Sequence, residues 1–247
     1  VKVISTYSVK GGVGKTSAAV NLAHLAATEG EPTLLWDLDP QGAATFLLRV
    51  RPKVKGGAKA IVRKSRPLDG AIRATDYANL DLVPADLSYR HFDLALDKTK
   101  RPTQRLASLL RGIADEYAYV FLDCAPSMSL VSESIFGASD ALLVPMIPTT
   151  LSERTLAQLT SFLDTKRRFD PAILCFFSLS DRRKRLHRDV MSSLKPEHVT
   201  MLETAIPSAT EVEQMGLHRA PLTAFAPKTR AARAYVELWH EVRDALS

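Results

Sequence analysis

Cysteine is scarce in this chain: Cys124 and Cys175 are the only two among 247 residues, and they stand in separate apolar runs without C-x-x-C spacing. That usage excludes a disulfide framework and reads as two small buried hydrophobes in a reducing cytosol. The six histidines are scattered, with no H-E-x-x-H or comparable ligand spacing, which argues against a metal site built from protein nitrogen and sulfur. A membrane-spanning helix needs about 18 or more consecutive apolar residues, and the sequence contains no such run. Nor does it open on a secretory signal or transit peptide; the first residues are strand-like. The expectation is a cytoplasmic protein.

Acidic residues are missing from one long stretch. Residues 49–66, RVRPKVKGGAKAIVRKSR, carry eight basic side chains and no acidic one, and a second basic cluster, DRRKRLHRD, spans 181–189. The overall net charge is only +6, so the charge is concentrated rather than large. Such patches suit a polyanion; a solvated surface is the ordinary alternative.

What is present is an ordinary globular composition, 46% apolar and 24% charged, in a chain long enough for one large α/β domain with a buried core. Short β-branched runs recur at 2–7, 33–39, 80–85, 119–123, 141–146 and 172–179. Helical spacing falls between them near 16–29, 102–116, 129–137 and 152–168. Continuous apolar strands alternating with helices predict a doubly wound, mostly parallel sheet with helices on both faces. No low-complexity linker divides residues 1–247, which are read as a single domain. Residues 49–66, interrupted by Pro52 and Gly56-Gly57, are read as irregular. The last stretch has apolar residues at 231, 235, 238, 239, 242 and 246, one buried stripe of a docked helix.

The chemistry concentrates at YSVKGGVGKTS, residues 7–17. A strand entering a glycine-rich turn and then a helix aims backbone N–H groups and the positive helix end at one point, where phosphate is the natural occupant. Gly11, Gly12 and Gly14 allow the close approach; Lys15 would reach the β- and γ-phosphates, and Thr16 would place its hydroxyl on Mg²⁺. Val9 stands where the usual pattern has its first glycine, and Lys10 follows it. Two further strands end on carboxylates. YVFLDCAPS puts Asp123 where P-loop enzymes keep a Mg²⁺ carboxylate. LLWDLDPQG puts Asp37 and Asp39 on one face of an extended chain, where they would be turn-formers ahead of Pro40 or, beside a P-loop, a metal-supporting group and a group that activates water.

K-G-G-V-G-K-T, D-L-D-P-Q-G and the L-D-x-x-P of LDCAPS, in this order, resemble the deviant Walker-type ATPases of the ParA/MinD family. LVPMIPTTLSERTLAQL, TAIPSATEVEQMG and APKTRAARAY extend the resemblance over nearly the whole chain. The resemblance implies ATP and Mg²⁺ as ligands. It implies ATP contacts from Lys10, Gly11, Gly12, Val13, Gly14, Lys15, Thr16 and Ser17, with Ser178 and Pro207 at the adenine by position. It also implies metal contacts from Thr16, Asp37 and Asp123, and catalytic roles for Lys10, Lys15 and Asp39. Lys10 would reach across a nucleotide-sandwich homodimer to the partner subunit's phosphates, so that ATP drives dimerisation and hydrolysis times its release. Ser208, after Ile206-Pro207, stands where many members have arginine, and Ala125 where many have proline.

Within the family, the ParA branch grips double-stranded DNA without sequence preference and is stimulated by a ParB-like or cargo-adaptor protein. The MinD branch carries a C-terminal amphipathic membrane helix. The basic clusters favour the ParA branch, with partition or positioning of a plasmid, chromosome or protein cargo on the nucleoid. The last helix is not followed by a basic amphipathic extension, so no stable membrane anchor is foreseen. By position, Lys195, Lys228 and Arg230 are the first DNA-contact candidates, followed by Arg182, Arg183, Lys184 and Arg185. The competing readings are a MinD-like membrane ATPase, a same-fold ATP-dependent small-molecule synthase, an iron–sulfur relative, a tyrosine kinase and a scaffold that no longer hydrolyses. No substrate constellation beyond the P-loop supports the synthase. Neither cysteine is placed for a cluster, the tail has only Tyr235, and Lys15, Thr16, Asp39 and Asp123 occurring together argue against a silent scaffold.

Overall fold

Lys2–Thr6 forms β1, and four of its five residues are buried, as a central strand covered on both faces requires. It lies inside one eight-stranded sheet ordered β3-β4-β2-β5-β1-β6-β7-β8. The others are β2 (Thr33–Asp37), β3 (Arg73–Ala74), β4 (Leu80–Val83), β5 (Tyr119–Asp123), β6 (Ala141–Met146), β7 (Ala172–Ser180) and β8 (Thr200–Pro207). All neighbours pair parallel except the two-residue edge strand β3, which runs antiparallel to β4. The computed structural model describes residues 1–63, 68–166, 169–194 and 199–247.

The helices are α1 (Lys15–Thr28), α2 (Ala43–Leu47), α3 (Gly57–Val62), α4 (Phe92–Asp97), α5 (Arg105–Leu110), α6 (Leu130–Phe136), α7 (Thr150–Thr165), α8 (Arg185–Ser193), α9 (Thr210–Glu213), α10 (Met215–His218), α11 (Leu222–Phe225) and α12 (Arg230–Ala245). They divide between the two faces by strand alternation. Leu34, Trp36, Val120 and Leu122 point to one face and pack with α3 to α7. Leu35, Phe121 and Ile4 point to the other and pack with α1 and α12, where Tyr235, Leu238 and Trp239 are fully enclosed. Among the described residues no helix is long and apolar enough to cross a membrane.

The doubly wound architecture and six of the strands agree with the sequence reading; four details differ. Residues 200–207, not among the expected strands, form β8. This edge strand is only intermittently buried, so its side chains alternate without an apolar run, and Glu241 of α12 accepts the free N–H groups of Glu203 (2.6 Å) and Thr204 (2.9 Å). The short hydrogen-bonding edge strand β3 also left no apolar signal, because both its residues are exposed. The helix foreseen over 102–116 is broken into α5 between two 3₁₀ turns, Pro102–Gln104 and Arg111–Ile113. Residues 49–66 are not wholly irregular: α3 begins at Gly57, capped by Gly56, both at positive φ, and buries Ala58, Ile61 and Val62.

Candidate active site

Three adjacent strands deliver their last residues to one place. In the register of the sheet, Thr6 of β1 lies beside Asp123 of β5, which lies beside Asp37 of β2. Residues 7–14 then leave β1 as the glycine loop and enter α1, whose first residue is Lys15. This is the carboxyl edge of a parallel sheet beside a strand-order reversal, the position where such sheets bind ligands. Gly14 caps α1 at φ 93°, and a Cβ there would stand 2.7 Å from the Ser178 hydroxyl oxygen at the end of β7. The backbone torsion favours glycine, and any larger residue would also have to displace the Ser178 hydroxyl.

Inside the loop, the buried Lys15 ammonium donates to the Lys10 carbonyl at 2.9 Å. Burial pulls the Lys15 pKa down, while the negative charge of Asp123 pulls it back up. Lys10 itself is half-buried at the mouth of the loop. Its backbone N–H donates to the Ser8 hydroxyl at 3.2 Å, and its ammonium has no hydrogen-bond or ion-pair partner among the described residues. Gly11 and Gly12 are exposed, and Val13 is buried as the loop's apolar anchor.

The two buried carboxylates are held differently. Asp37 is saturated: one oxygen accepts from the Thr45 N–H (2.8 Å) and the Thr45 hydroxyl (2.7 Å), and the other accepts from the Asp39 N–H (3.3 Å). The Thr45 hydroxyl oxygen accepts in turn from Ala85 N–H at 2.8 Å. Asp37 therefore organises the turn that presents Asp39. Asp123 is fully buried, and only one of its oxygens is engaged, by the Thr6 hydroxyl at 3.4 Å. Its Oδ2 has no hydrogen-bond partner among the described residues. Burial and the nearby Asp37 carboxylate push Asp123 well above the ordinary range, against the pull of the Thr16 hydroxyl and the Lys15 ammonium. Burial likewise raises Asp37, opposed by its Thr45 bonds.

An orphaned buried carboxylate oxygen beside a lysine and a threonine hydroxyl fits a hard divalent cation. Among the described residues no three His, Cys, Asp or Glu side chains cluster as a self-sufficient metal site. Mg²⁺ held here would complete its shell with phosphate oxygens and water, as that ion commonly does. Asp39 is half-buried, and its carboxylate accepts the Gln41 N–H at 2.9 Å.

These shifts have a pH consequence. An aspartate whose folded pKa is raised above its unfolded value near 3.9 binds protons more tightly in the native state. Its contribution is fully present below that value and is lost as pH rises through the raised folded pKa. In urea melts of the ligand-free protein, the stability gap between the Asp123→Asn variant and the native sequence should widen in the variant's favour from pH 5 to pH 8. A gap independent of pH would show that Asp123 titrates normally.

Of the other candidates, Ser178 touches the phosphate loop at Gly14 rather than standing apart from it. Pro207 ends β8 opposite Ser180, and Ser208 N–H donates to Ser180 O at 2.9 Å. Lys228 and Arg230 are exposed at the start of α12. That helix runs alongside α1: near its end, Trp239 and Arg243 both reach Glu29, just beyond the end of α1, at 3.0 Å. Tyr235 lies against Ser17 at the start of α1. Lys228 and Arg230 thus lie towards the end of α12 that is nearer the start of α1. Arg182, Arg183, Lys184 and Arg185 follow the end of β7 and are exposed, but Arg183 is already bound to both carboxylate oxygens of Asp181 (3.0 and 3.1 Å). Lys195 lies outside the described residues. The sequence reading missed Thr6 and Thr45, which hold the two carboxylates. Neither belongs to a glycine or aspartate motif, and only strand register and a turn contact reveal them. Cys124 and Cys175 are buried free thiols, and burial pushes Cys175 up to about 12.

The AAA-domain family AAA_31 matches residues 1–172, and relatives match along almost the whole chain. The sporulation initiation inhibitor protein Soj of Bacillus subtilis is 29% identical over 250 residues, covering 98% of this chain and 98% of that protein. The chromosome partitioning protein ParA of Myxococcus xanthus is 27% identical over 247 residues, covering 98% and 87%. The chain belongs to the ParA/MinD family of P-loop ATPases. Solved structures share the family fold. An ATP complex of McdA from Cyanothece superposes with TM-score 0.86 at 19% identity, covering 99% of this chain and 96% of that one. The cobyrinic acid a,c-diamide synthase of Mycobacterium smegmatis with ADP and magnesium superposes with TM-score 0.82 at 24% identity, covering 98% and 94%. In this ParA/MinD-family chain, the glycine loop, Asp39 and Asp123 stand together at the sheet's carboxyl edge.

Proposed function

We propose that this chain is a Mg²⁺-dependent ATPase that dimerises on ATP, grips double-stranded DNA without sequence preference, and partitions or positions a cargo over the nucleoid, with hydrolysis as the release timer. The observation that carries the proposal is the Lys10 ammonium, unpartnered at the mouth of a complete phosphate loop. A cation so placed is free to neutralise phosphate charge that its own subunit leaves uncompensated, as an arginine finger does in trans. The names of Soj and ParA support the partitioning role, and the ligands named for the solved relatives support ATP and magnesium.

In the proposed mechanism each group has a separate task. Gly11 to Gly14 and the start of α1 bind the phosphates through backbone N–H groups. Lys15 would leave the Lys10 carbonyl for the β- and γ-phosphates, while Thr16 and Asp123 would hold Mg²⁺, which would supply positive charge against the transferred phosphoryl group. Asp37 fixes the turn, and Asp39 orients or activates the attacking water. Lys10 acts across the dimer. Because that contact exists only with ATP bound and the dimer closed, nucleotide shifts the monomer–dimer equilibrium by its differential affinity. A dimer doubles the phosphate contacts available to DNA, so DNA affinity follows the ATP state. A ParB-like or cargo-adaptor partner that accelerates turnover completes the cycle.

The test is the Asp39→Ala variant, whose hydrolysis is blocked while binding is spared. With ATP and Mg²⁺ it should run as a stable dimer by light scattering and retain duplex DNA, whereas with ADP it should be a monomer. A variant that stays monomeric with ATP sinks the proposal. The likeness to a cobyrinic acid synthase supports one second reading, an ATP-dependent small-molecule synthase. ATP turnover unchanged by duplex DNA, together with DNA retention indifferent to nucleotide state, would favour it.

A further inference from the structure

The basic stretch 49–66 has no task in the nucleotide site, and the structure joins part of it to a second basic stretch. Residues 98–111, KTKRPTQRLASLLR, carry five basic side chains and no acidic one. With the eight of residues 49–66 that makes thirteen cations, so the chain's net +6 leaves the remaining residues at −7. The protein's positive charge is therefore not spread over its surface. These two acid-free segments carry more positive charge than the net excess of the whole chain.

Their described parts meet on one side of the sheet. The end of α3 and the connection from α4 to α5 line two adjoining cavities that share Arg63 and Lys98. Lys59, Arg63, Lys98, Lys100, Arg101 and Arg111 line them, all exposed. Among the described residues none of these six forms an ion pair, and no Asp or Glu lines either cavity. Arg105 also lines the groove. It is only 7% exposed, and its guanidinium donates to the carbonyls of Val62 (2.7 Å) and Ile61 (3.4 Å), clamping α3 to α5. Two neutral carbonyls leave that buried charge uncompensated, and a buried charge without a counter-charge favours an anion nearby.

We propose that this groove, on the face of the sheet opposite α1 and α12, is a principal duplex-DNA contact surface, binding phosphodiester oxygens. Six cations without ion pairs among the described residues, spread over two connected cavities, suit a long regular polyanion better than one phosphate. Bidentate guanidinium donors match phosphate oxygens. Contacts of this kind carry no sequence preference and weaken steeply with salt. The inference rests on the DNA-binding part of the function proposed above, and it assigns that binding to a different surface from Lys228 and Arg230, which lie on the α12 side.

The test compares four full-length proteins by fluorescence anisotropy with a labelled duplex across a salt series, with ATP and Mg²⁺. They are the native sequence, Lys98→Ala/Arg101→Ala/Arg111→Ala, Lys59→Glu/Arg63→Glu, and Lys228→Ala/Arg230→Ala. The triple alanine variant should bind about tenfold or more weakly, with a log–log salt slope shallower by roughly 2–3, one phosphate contact contributing about 0.9. The glutamate variant should lose more, while both keep nucleotide affinity and ATP-driven dimerisation. Unchanged affinity and slope in both groove variants overturns the proposal while the ATPase reading stands. A native protein that binds no duplex in any nucleotide state overturns both the groove and the DNA-binding reading. Groove-dependent binding to polyglutamate or phosphatidylglycerol vesicles, with none to duplex, overturns the groove's assignment to DNA.

Discussion

Replacing Lys10 with alanine should leave the protein a monomer in light scattering with ATP and Mg²⁺, at concentrations where the native sequence dimerises. Nucleotide affinity of the monomer should change little. The reason lies in how the loop is wired. Lys15 is tied into its own subunit through the Lys10 carbonyl, a backbone atom that the substitution keeps. The Lys10 side chain holds nothing in its own subunit, so removing it costs little stability and leaves the loop's torsions at Gly12 and Gly14 intact. On the mechanism proposed above, what is lost is a cation that meets phosphate only in the closed dimer. Because a trans-acting cation of this kind accelerates phosphoryl transfer by about 10³–10⁵-fold, partner-stimulated turnover should fall by roughly three orders of magnitude. Lys10→Arg, keeping the charge with a different reach, should recover part of the dimer. A nucleotide-dependent dimer that persists in Lys10→Ala would falsify the cross-subunit role.

The second large effect separates stability from function at Asp123. In the ligand-free protein this carboxylate is fully buried, next to a second buried carboxylate, with one oxygen unpartnered. Leaving a buried polar group unsatisfied costs about 1–3 kcal/mol, and more for a charged one. Asp123→Asn removes the charge at nearly constant volume, so at pH 8 the variant should be more stable by about 1–3 kcal/mol. In a chain of this size that raises Tm by roughly 2–4 °C per kcal/mol. Turnover should meanwhile drop by about 10²–10³-fold, the scale of losing one preorganised electrostatic group, and added Mg²⁺ should no longer raise nucleotide affinity. A variant that melts at or below the native temperature at pH 8 would mean the carboxylate is already well compensated. One that hydrolyses ATP at the native rate would remove Asp123 from the metal site.

Much of the fold and the centre of the site were legible in the sequence because they rest on short-range rules. Buried parallel strands read as apolar runs such as TLLWD and YVFLD, a phosphate loop needs its glycines at fixed spacing, and carboxylates at strand ends follow from those runs. The edge strand β8 escaped because one of its sides is solvated and Glu241, distant in sequence, satisfies its N–H groups. The helix foreseen over 102–116 broke because its ends answer to tertiary partners: Leu106 N–H donates to Ser134 Oγ at 3.1 Å and Arg105 turns to α3. Residues 181–189 read as a basic cluster, yet His187 and Val190 bury one side of α8, and His187 accepts the Asp181 N–H at 3.0 Å.

By itself, then, the chain's order of residues determined which groups are candidates for the proposed chemistry: Lys10, Lys15, Thr16, Asp39 and Asp123, singled out by loop spacing and strand periodicity over a few residues. Only the tertiary structure decided what each carboxylate does at rest. Strand register places Asp37, Asp123 and Thr6 in a row although they come from segments up to 117 residues apart. Thr45 then saturates one carboxylate while burial strands the other. Likewise, two basic stretches distant in sequence become one groove because α3 and α5 pack on the same face of the sheet. Hydrogen bonds and electrostatic fields act through space, and the partners that fix a buried charge need not be neighbours along the chain.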